Sequence, residues 1–274
     1  MKTILVPTDF SESAKNAVNY AAELAQLSKA KLILFHAFHI PAVPTDVPYV
    51  MPIGEIEKDN LEKLKKIKKN ILHKYNDELN IECETKFGFA VDEINEMIHG
   101  KKADLVVMGM HGGGYLSEKL IGSITTSLIR KAKCPVLAIN ENVKFKKIKK
   151  IVLACDYSKI QNKSILDPLK EFVTLFKSEV FILNVNRELE EVSSGRKTVG
   201  GTTLKHSLEN VNHSFHSIRN ENIVDGINEF ADENKADMIV MIPHKHSFLE
   251  TIFEERNTKR MAFHTHIPLL ALHG

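Results

Sequence analysis

The chain has 274 residues, 43% of them apolar and 26% charged, with 37 Lys and Arg against 35 Asp and Glu. That is too apolar for a disordered protein, and at a formal net charge of +2 it is too balanced for bulk electrostatic binding of nucleic acid. No apolar run approaches the ~20 residues of a membrane span. The opening residues lack the apolar core of a signal peptide, and Cys83, Cys134 and Cys155 form neither a disulfide framework nor a CxxC pair, so a reduced, cytoplasmic protein is expected.

Thr3–Pro7 reads as a buried strand. Ser11 or Ser13 then offers an N-cap to a helix carrying Ala14, Ala17, Val18, Ala21, Ala22 and Ala25 at helical spacing. A second buried-strand pattern covers Ala30–His36. Pro41, Pro44, Pro48 and Pro52 mark an irregular loop ending near Gly54. From Glu55 to Asn76 the pattern predicts an exposed amphipathic helix whose lysines form a solvated face. Ile81–Phe87 alternates like a strand, Val91–Ile98 reads as a helix, Ala103–Met108 as a strand, Ser123–Ala132 as a helix and Cys134–Ile139 as a strand. Strands alternating with helices predict a parallel sheet covered on both faces.

The order then restarts. Lys147–Cys155 repeats the opening strand, and Asp156-Tyr157-Ser158 repeats Asp9-Phe10-Ser11. Ala103–Ala138 aligns without a gap to Ala236–Ala271 at an offset of 133, with identities at Asp104/Asp237, Met108/Met241, His111/His244, Thr125/Thr258 and Pro135/Pro268. The chain is a tandem duplication of one α/β domain. The expected domains are 1–142 and 147–274, joined by the charged segment Asn140–Lys149.

The first half holds Gly109-Met110-His111-Gly112, then nine residues, then Gly122-Ser123. The first glycine follows a predicted strand and the last opens a predicted helix. Glycine permits close backbone approach to an anion, and a helix N-terminus offers free N–H donors and a favourable dipole. The spacing is neither GxGxxG nor GxxxxGK[ST], which excludes the dinucleotide fingerprint and the Walker A loop. Asp9, at the end of the first strand, can accept from ribose hydroxyls or an adenine amino group, or cap the helix beginning near Ser13. With the glycines present, ligand contact is the favoured reading.

Val6-Pro7-Thr8-Asp9-Phe10-Ser11, the spaced glycines with Ser123, and Cys134–Ile139 together resemble the universal stress protein family. The resemblance spans the chain as a tandem pair and implies two Rossmann-like domains, each a five-stranded parallel sheet flanked by helices, of the adenine nucleotide α-hydrolase-like group. The family's nucleotide-binding branch carries this glycine motif and binds ATP. By resemblance, Pro7, Thr8 and Asp9 lie near the adenine and ribose, and Ala37 and Met108 line the adenine pocket. Gly109, His111 and Gly112 wrap the ribose and inner phosphates, while Gly122, Ser123, Ile124 and Thr125 hold the phosphates. ATP, ADP and AMP share these contacts. A magnesium ion is expected with the triphosphate. The halves should pack as a pseudo-dimer, with Cys134–Ile139 pairing Ile267–Leu272 across the interface, and a homodimer is left open.

The second half departs from the motif. Gly109 becomes Ile242, Gly112 becomes Lys245, Gly122 becomes Glu255 and Ser123 becomes Arg256. Side chains then occupy the phosphate space, and Glu255 repels an anion, so this half is read as having lost its nucleotide. Asp156 remains and could still cap its helix. His244 and His246 follow a predicted strand, and with Asp156 they offer ligand types that suit zinc without a complete spacing signature. Cys155 is read as buried and small. No G-x-S-x-G elbow and no general base fixed by a motif are present. The expected function is therefore ATP binding in a stress-response protein, with nucleotide setting conformation or association. The alternatives are slow ATP hydrolysis, and an interaction or zinc-binding module using the second half.

Overall fold

The central strands divide their side chains between two cores. The computed structural model describes residues 1–40, 52–76, 78–110, 121–155, 163–186, 204–242 and 266–273. In the first half the order is β1 (Thr3–Pro7), α1 (Glu12–Ser28), β2 (Lys31–Phe38), α2 (Ile53–Lys74), β3 (Ile81–Phe87), α3 (Ala90–Lys101), β4 (Leu105–Gly109), α4 (Ser123–Lys131) and β5 (Val136–Ile139). The second half runs β6 (Lys150–Ala154), a 3-10 turn (Lys163–Leu166), α5 (Asp167–Phe176), β7 (Glu179–Asn186), β8 (His213–Arg219), α6 (Ile223–Glu233), β9 (Met238–Met241) and β10 (Leu269–Ala271). In β1, Ile4 and Val6 enter one core and Leu5 the other. In β2, Leu32 and Leu34 oppose Ile33 and Phe35; in β4, Leu105 and Val107 oppose Val106 and Met108. Both faces therefore need cover. Ala17, Ala21 and Leu24 of α1 and Leu64 of α2 cover the first face; Ile94 and Met97 of α3 and Leu128 and Ile129 of α4 cover the second.

The two expected five-stranded sheets join into one. The ten strands run β3-β2-β1-β4-β5-β10-β9-β6-β7-β8, parallel within each half and antiparallel only where β5 meets β10. That central pairing sets Leu137 against Leu270 and Ala138 against Leu269, as the edge-strand reading expected. It removes one edge from each half. Further contacts tie the halves and the segment that joins them. The Asn16 amide donates to the carbonyls of Asn140 (2.9 Å) and Val143 (2.8 Å). Phe145 stands between Tyr20 and Phe176, at 5.0 and 6.2 Å between ring centroids. His273 Nε2 lies 2.7 Å from the Ile129 carbonyl of α4.

The duplication reaches hydrogen-bond detail. Asp104 accepts from the backbone N–H of Lys2 and Thr3, and Asp237 accepts from those of Lys149 and Lys150. Each carboxylate thereby staples the start of one central strand to the start of its neighbour. Four helices end on a lysine in the left-handed region: Lys29 (φ 56°), Lys102 (51°), Lys177 (56°) and Lys235 (52°). After each, an N–H reaches back five residues: Ala30 to Ala25, Ala103 to Ile98, Ser178 to Val173 and Ala236 to Ala231. This is the Schellman closure, which usually carries glycine.

The halves differ at the carboxyl edge of the sheet. Helix α1 has 17 residues and α5 has 10; both end on the same lysine closure, and α5 is preceded by the 3-10 turn over Lys163–Leu166. The N-cap of α5 is Leu166. Asp156, expected to cap the helix after it, lies outside the described residues.

Candidate functional site

The strand order creates a switch point. From β1 the chain moves outward to β2 and β3, then returns to place β4 on the other side of β1. The carboxyl ends of the adjacent strands β1 and β4 form that switch point, which is where open parallel sheets take their ligands. Pro7 closes β1, Thr8 and Asp9 leave it, Gly109 closes β4, and Gly122 begins α4 at the same edge.

On the β1 side, Thr8 is buried; its N–H donates to the Phe35 carbonyl (2.8 Å) and its Oγ1 accepts from the Phe10 N–H (3.1 Å). Asp9 is exposed. Its Oδ1 accepts from the Ser11 N–H (3.0 Å) and the Ser11 hydroxyl (2.5 Å), while the Ser11 Oγ accepts from the Ala14 N–H and so caps α1. The cap is therefore Ser11, and the rival reading of Asp9 as the N-cap fails. Between them, Phe10 sits at φ 65°, uncommon for a bulky side chain. Its ring packs 4.6 Å from that of His36, with Lys63 Nζ 5.5 Å from its centroid. His36 Nδ1 donates to the Thr8 carbonyl at 2.7 Å. Burial pushes the His36 pKa down, against the pull of the Thr8 carbonyl and Asp9. The ring therefore braces the Thr8 turn as a neutral donor.

On the β4 side, the Thr125 hydroxyl is buried and donates to the Gly109 carbonyl (2.9 Å), and the Gly122 N–H donates to the Met110 carbonyl (2.7 Å). These bonds seat the start of α4 against the end of β4. Gly122 brings no side-chain cap, and Thr126 is the first residue whose N–H finds an intrahelical acceptor, the Gly122 carbonyl. The amides of Ser123, Ile124 and Thr125 are thus first-turn donors directed out of the helix end, with Ser123 and Ile124 exposed. His111 and Gly112 lie outside the described residues.

The structure revises the meaning of Gly109. A Cβ there would stand 2.5 Å from Ser13 Oγ and 3.0 Å from the Ser13 carbonyl carbon. The glycine admits the first turn of α1, and a side chain would enter helix space before any ligand space. In the second half α5 begins later, and Ile242 is 1% exposed at the matching position. Ile242 is thus a buried core residue of the second half. Glu255 and Arg256, at the helix-start positions of that reading, lie outside the described residues, as do Lys245, His244, His246 and Asp156.

Met108 is buried in the core on the α3/α4 side, and Ala37, Ala90, Val91 and Ile121 form its part-buried rim. Ala90, Val91 and Ile121, which the sequence did not mark, lie in loops and helix starts that hydrophobic period does not signal. Among the described residues, no group of three or more His, Cys, Asp or Glu could hold a metal ion, and no helix is long and apolar enough to cross a membrane. Cys155 is buried as expected, and burial raises the Cys134 thiol to about 12.

The chain matches known proteins in both halves. The model of the universal stress protein family matches residues 1–140 and again 147–273. A universal stress protein of Methanocaldococcus jannaschii is 29% identical over 145 residues, 51% of this chain and 82% of that protein. One from Mycobacterium tuberculosis is 31% identical over 150 residues, 51% of this chain and 96% of that protein. The crystal structure of a universal stress protein from Archaeoglobus fulgidus covers 98% of this chain and 95% of its own, at TM-score 0.70 and 16% identity, a likeness of fold.

Proposed function

The chain belongs to the universal stress protein family in both halves, and from that premise we propose that its first half binds one adenine nucleotide, ATP with a divalent cation, in the crevice between β1 and β4. One observation carries the reading: at the switch point, the uncapped start of α4 and the exposed Asp9 carboxylate flank a part-buried apolar rim. The amides of Ser123, Ile124 and Thr125 hold phosphate oxygens, as free donors at a helix N-terminus do. Asp9, fixed by Ser11, accepts from the ribose. Ala37 and Met108 line the base, and His111 and Gly112 complete the loop. The second half serves as a structural partner without nucleotide, because Gly109, Gly112, Gly122 and Ser123 are replaced there by Ile242, Lys245, Glu255 and Arg256. Nucleotide then sets conformation or association, and the continuous sheet offers a route between the halves.

The test is Gly122→Glu, which places the second half's own residue at the start of α4. Calorimetric titration with ATP and magnesium should give a single site in the unmodified protein and none in the variant, with unchanged circular dichroism. ATP binding of unaltered affinity in the folded variant would place the phosphates elsewhere.

A further inference from the structure

Phe89 has the most exposed large apolar side chain among the described residues, at 66%. It occupies the N-cap of α3 and gives that helix no side-chain hydrogen bond. The same position in the second half, the N-cap of α6, is Asn222, whose side chain accepts from the N–H groups of Val224 (3.1 Å) and Asp225 (3.4 Å). The repeat thus contains a capped solution for this helix start. The first half gives up the cap and keeps an aromatic ring in water, a local rule broken at the edge where the ligand crevice opens.

The ring has company of the same kind. His39, directly after β2, lies 5.0 Å from Phe89 between centroids, with the planes inclined by 33°. Ala37, two residues before His39, and Ala90 and Val91, directly after Phe89, all belong to the rim of the core that holds Met108. An aromatic pair therefore adjoins the apolar rim on the flank away from α4. Once phosphates are assigned to α4 and ribose to Asp9, the remaining part of the ligand is a flat, apolar-faced base, and aromatic rings are the usual platform for one.

We propose that Phe89, backed by His39, stacks on the nucleobase and so sets the preference for a complete nucleotide over its phosphate chain; this rests on the nucleotide reading above. The sequence contains no tryptophan, so Phe89→Trp introduces a single indole as reporter. Its fluorescence should be quenched by ATP with magnesium and unaffected by inorganic tripolyphosphate. Phe89→Asn, which installs the second half's cap, should leave the protein folded, weaken ATP binding by about five- to a hundredfold, and leave tripolyphosphate binding unchanged. ATP bound equally by the unmodified protein and Phe89→Asn, without indole quenching, would overturn the stacking role alone. Equal ATP affinity together with loss of self-association in Phe89→Asn would reassign the ring to a protein interface and also overturn it. No ATP binding by the unmodified protein would remove the nucleotide reading and this role with it.

Discussion

Gly109→Ala separates two roles that a spaced-glycine motif confounds. The added methyl would meet Ser13 Oγ at 2.5 Å and the Ser13 carbonyl carbon at 3.0 Å. The second contact is with backbone, so a rotamer change cannot relieve it, and α1 must shift against β4. Overpacking of this kind costs about 1–3 kcal/mol. With an unfolding entropy of about 2.1 cal/mol/K per residue over 274 residues, each kcal/mol moves the midpoint by about 2 °C, so a fall of about 2–6 °C is expected. Ser13→Ala should restore part of it by removing the closer contact, leaving a coupling energy of about 1 kcal/mol in a double-mutant cycle. Scanning calorimetry on the four proteins measures both. An unchanged midpoint in Gly109→Ala, with nucleotide binding lost, would refute the packing argument and return Gly109 to the ligand.

Replacing Lys29 or Lys102 by glycine should stabilise the protein by about 0.5–1 kcal/mol each in chemical denaturation, because glycine enters the left-handed region without a Cβ penalty; a loss of stability would show that the lysine stems contribute packing. Asp237→Ala should cost about 1–3 kcal/mol by stripping two backbone N–H groups of their acceptor. Burial acts against that carboxylate, but Lys146 and the amides of Lys149 and Lys150 outweigh it and hold its pKa below the usual range. A neutral outcome would mean that water replaces it freely. Stability should also fall on acidification below about pH 6.5. Burial lowers the pKa of His36, His216 and His273 from 6.5, so the unfolded chain binds more protons and stability rises with pH up to that value and levels off above it. A thermal midpoint that stays flat between pH 7.5 and 5.5 would contradict this.

Much of the fold was legible because hydrophobic period is a local signal. The strands and helices of the first half lie within a few residues of their expected positions, and the repeat itself forecast the pairing of β5 with β10. The start of α5 was illegible from the same signal, because the match of Asp156 to Asp9 says nothing about where the following helix begins. For the site, the glycine spacing placed Gly109 and Gly122 correctly at the ends of β4 and α4. It did not reveal that Gly109 is constrained by Ser13, a contact between residues 96 positions apart in the chain. Nor did it reveal that the Thr125 hydroxyl is already engaged by the Gly109 carbonyl. Phe89 went unmarked because a lone aromatic before a helix carries no period; its meaning emerges only beside His39 and against Asn222.

If one half binds nucleotide and the other supports it, equilibrium dialysis of the full chain against labelled ATP with magnesium should saturate at one ATP per chain, and Gly122→Glu should abolish the binding. Saturation at two, or no retained ATP, would contradict the asymmetry of the two halves.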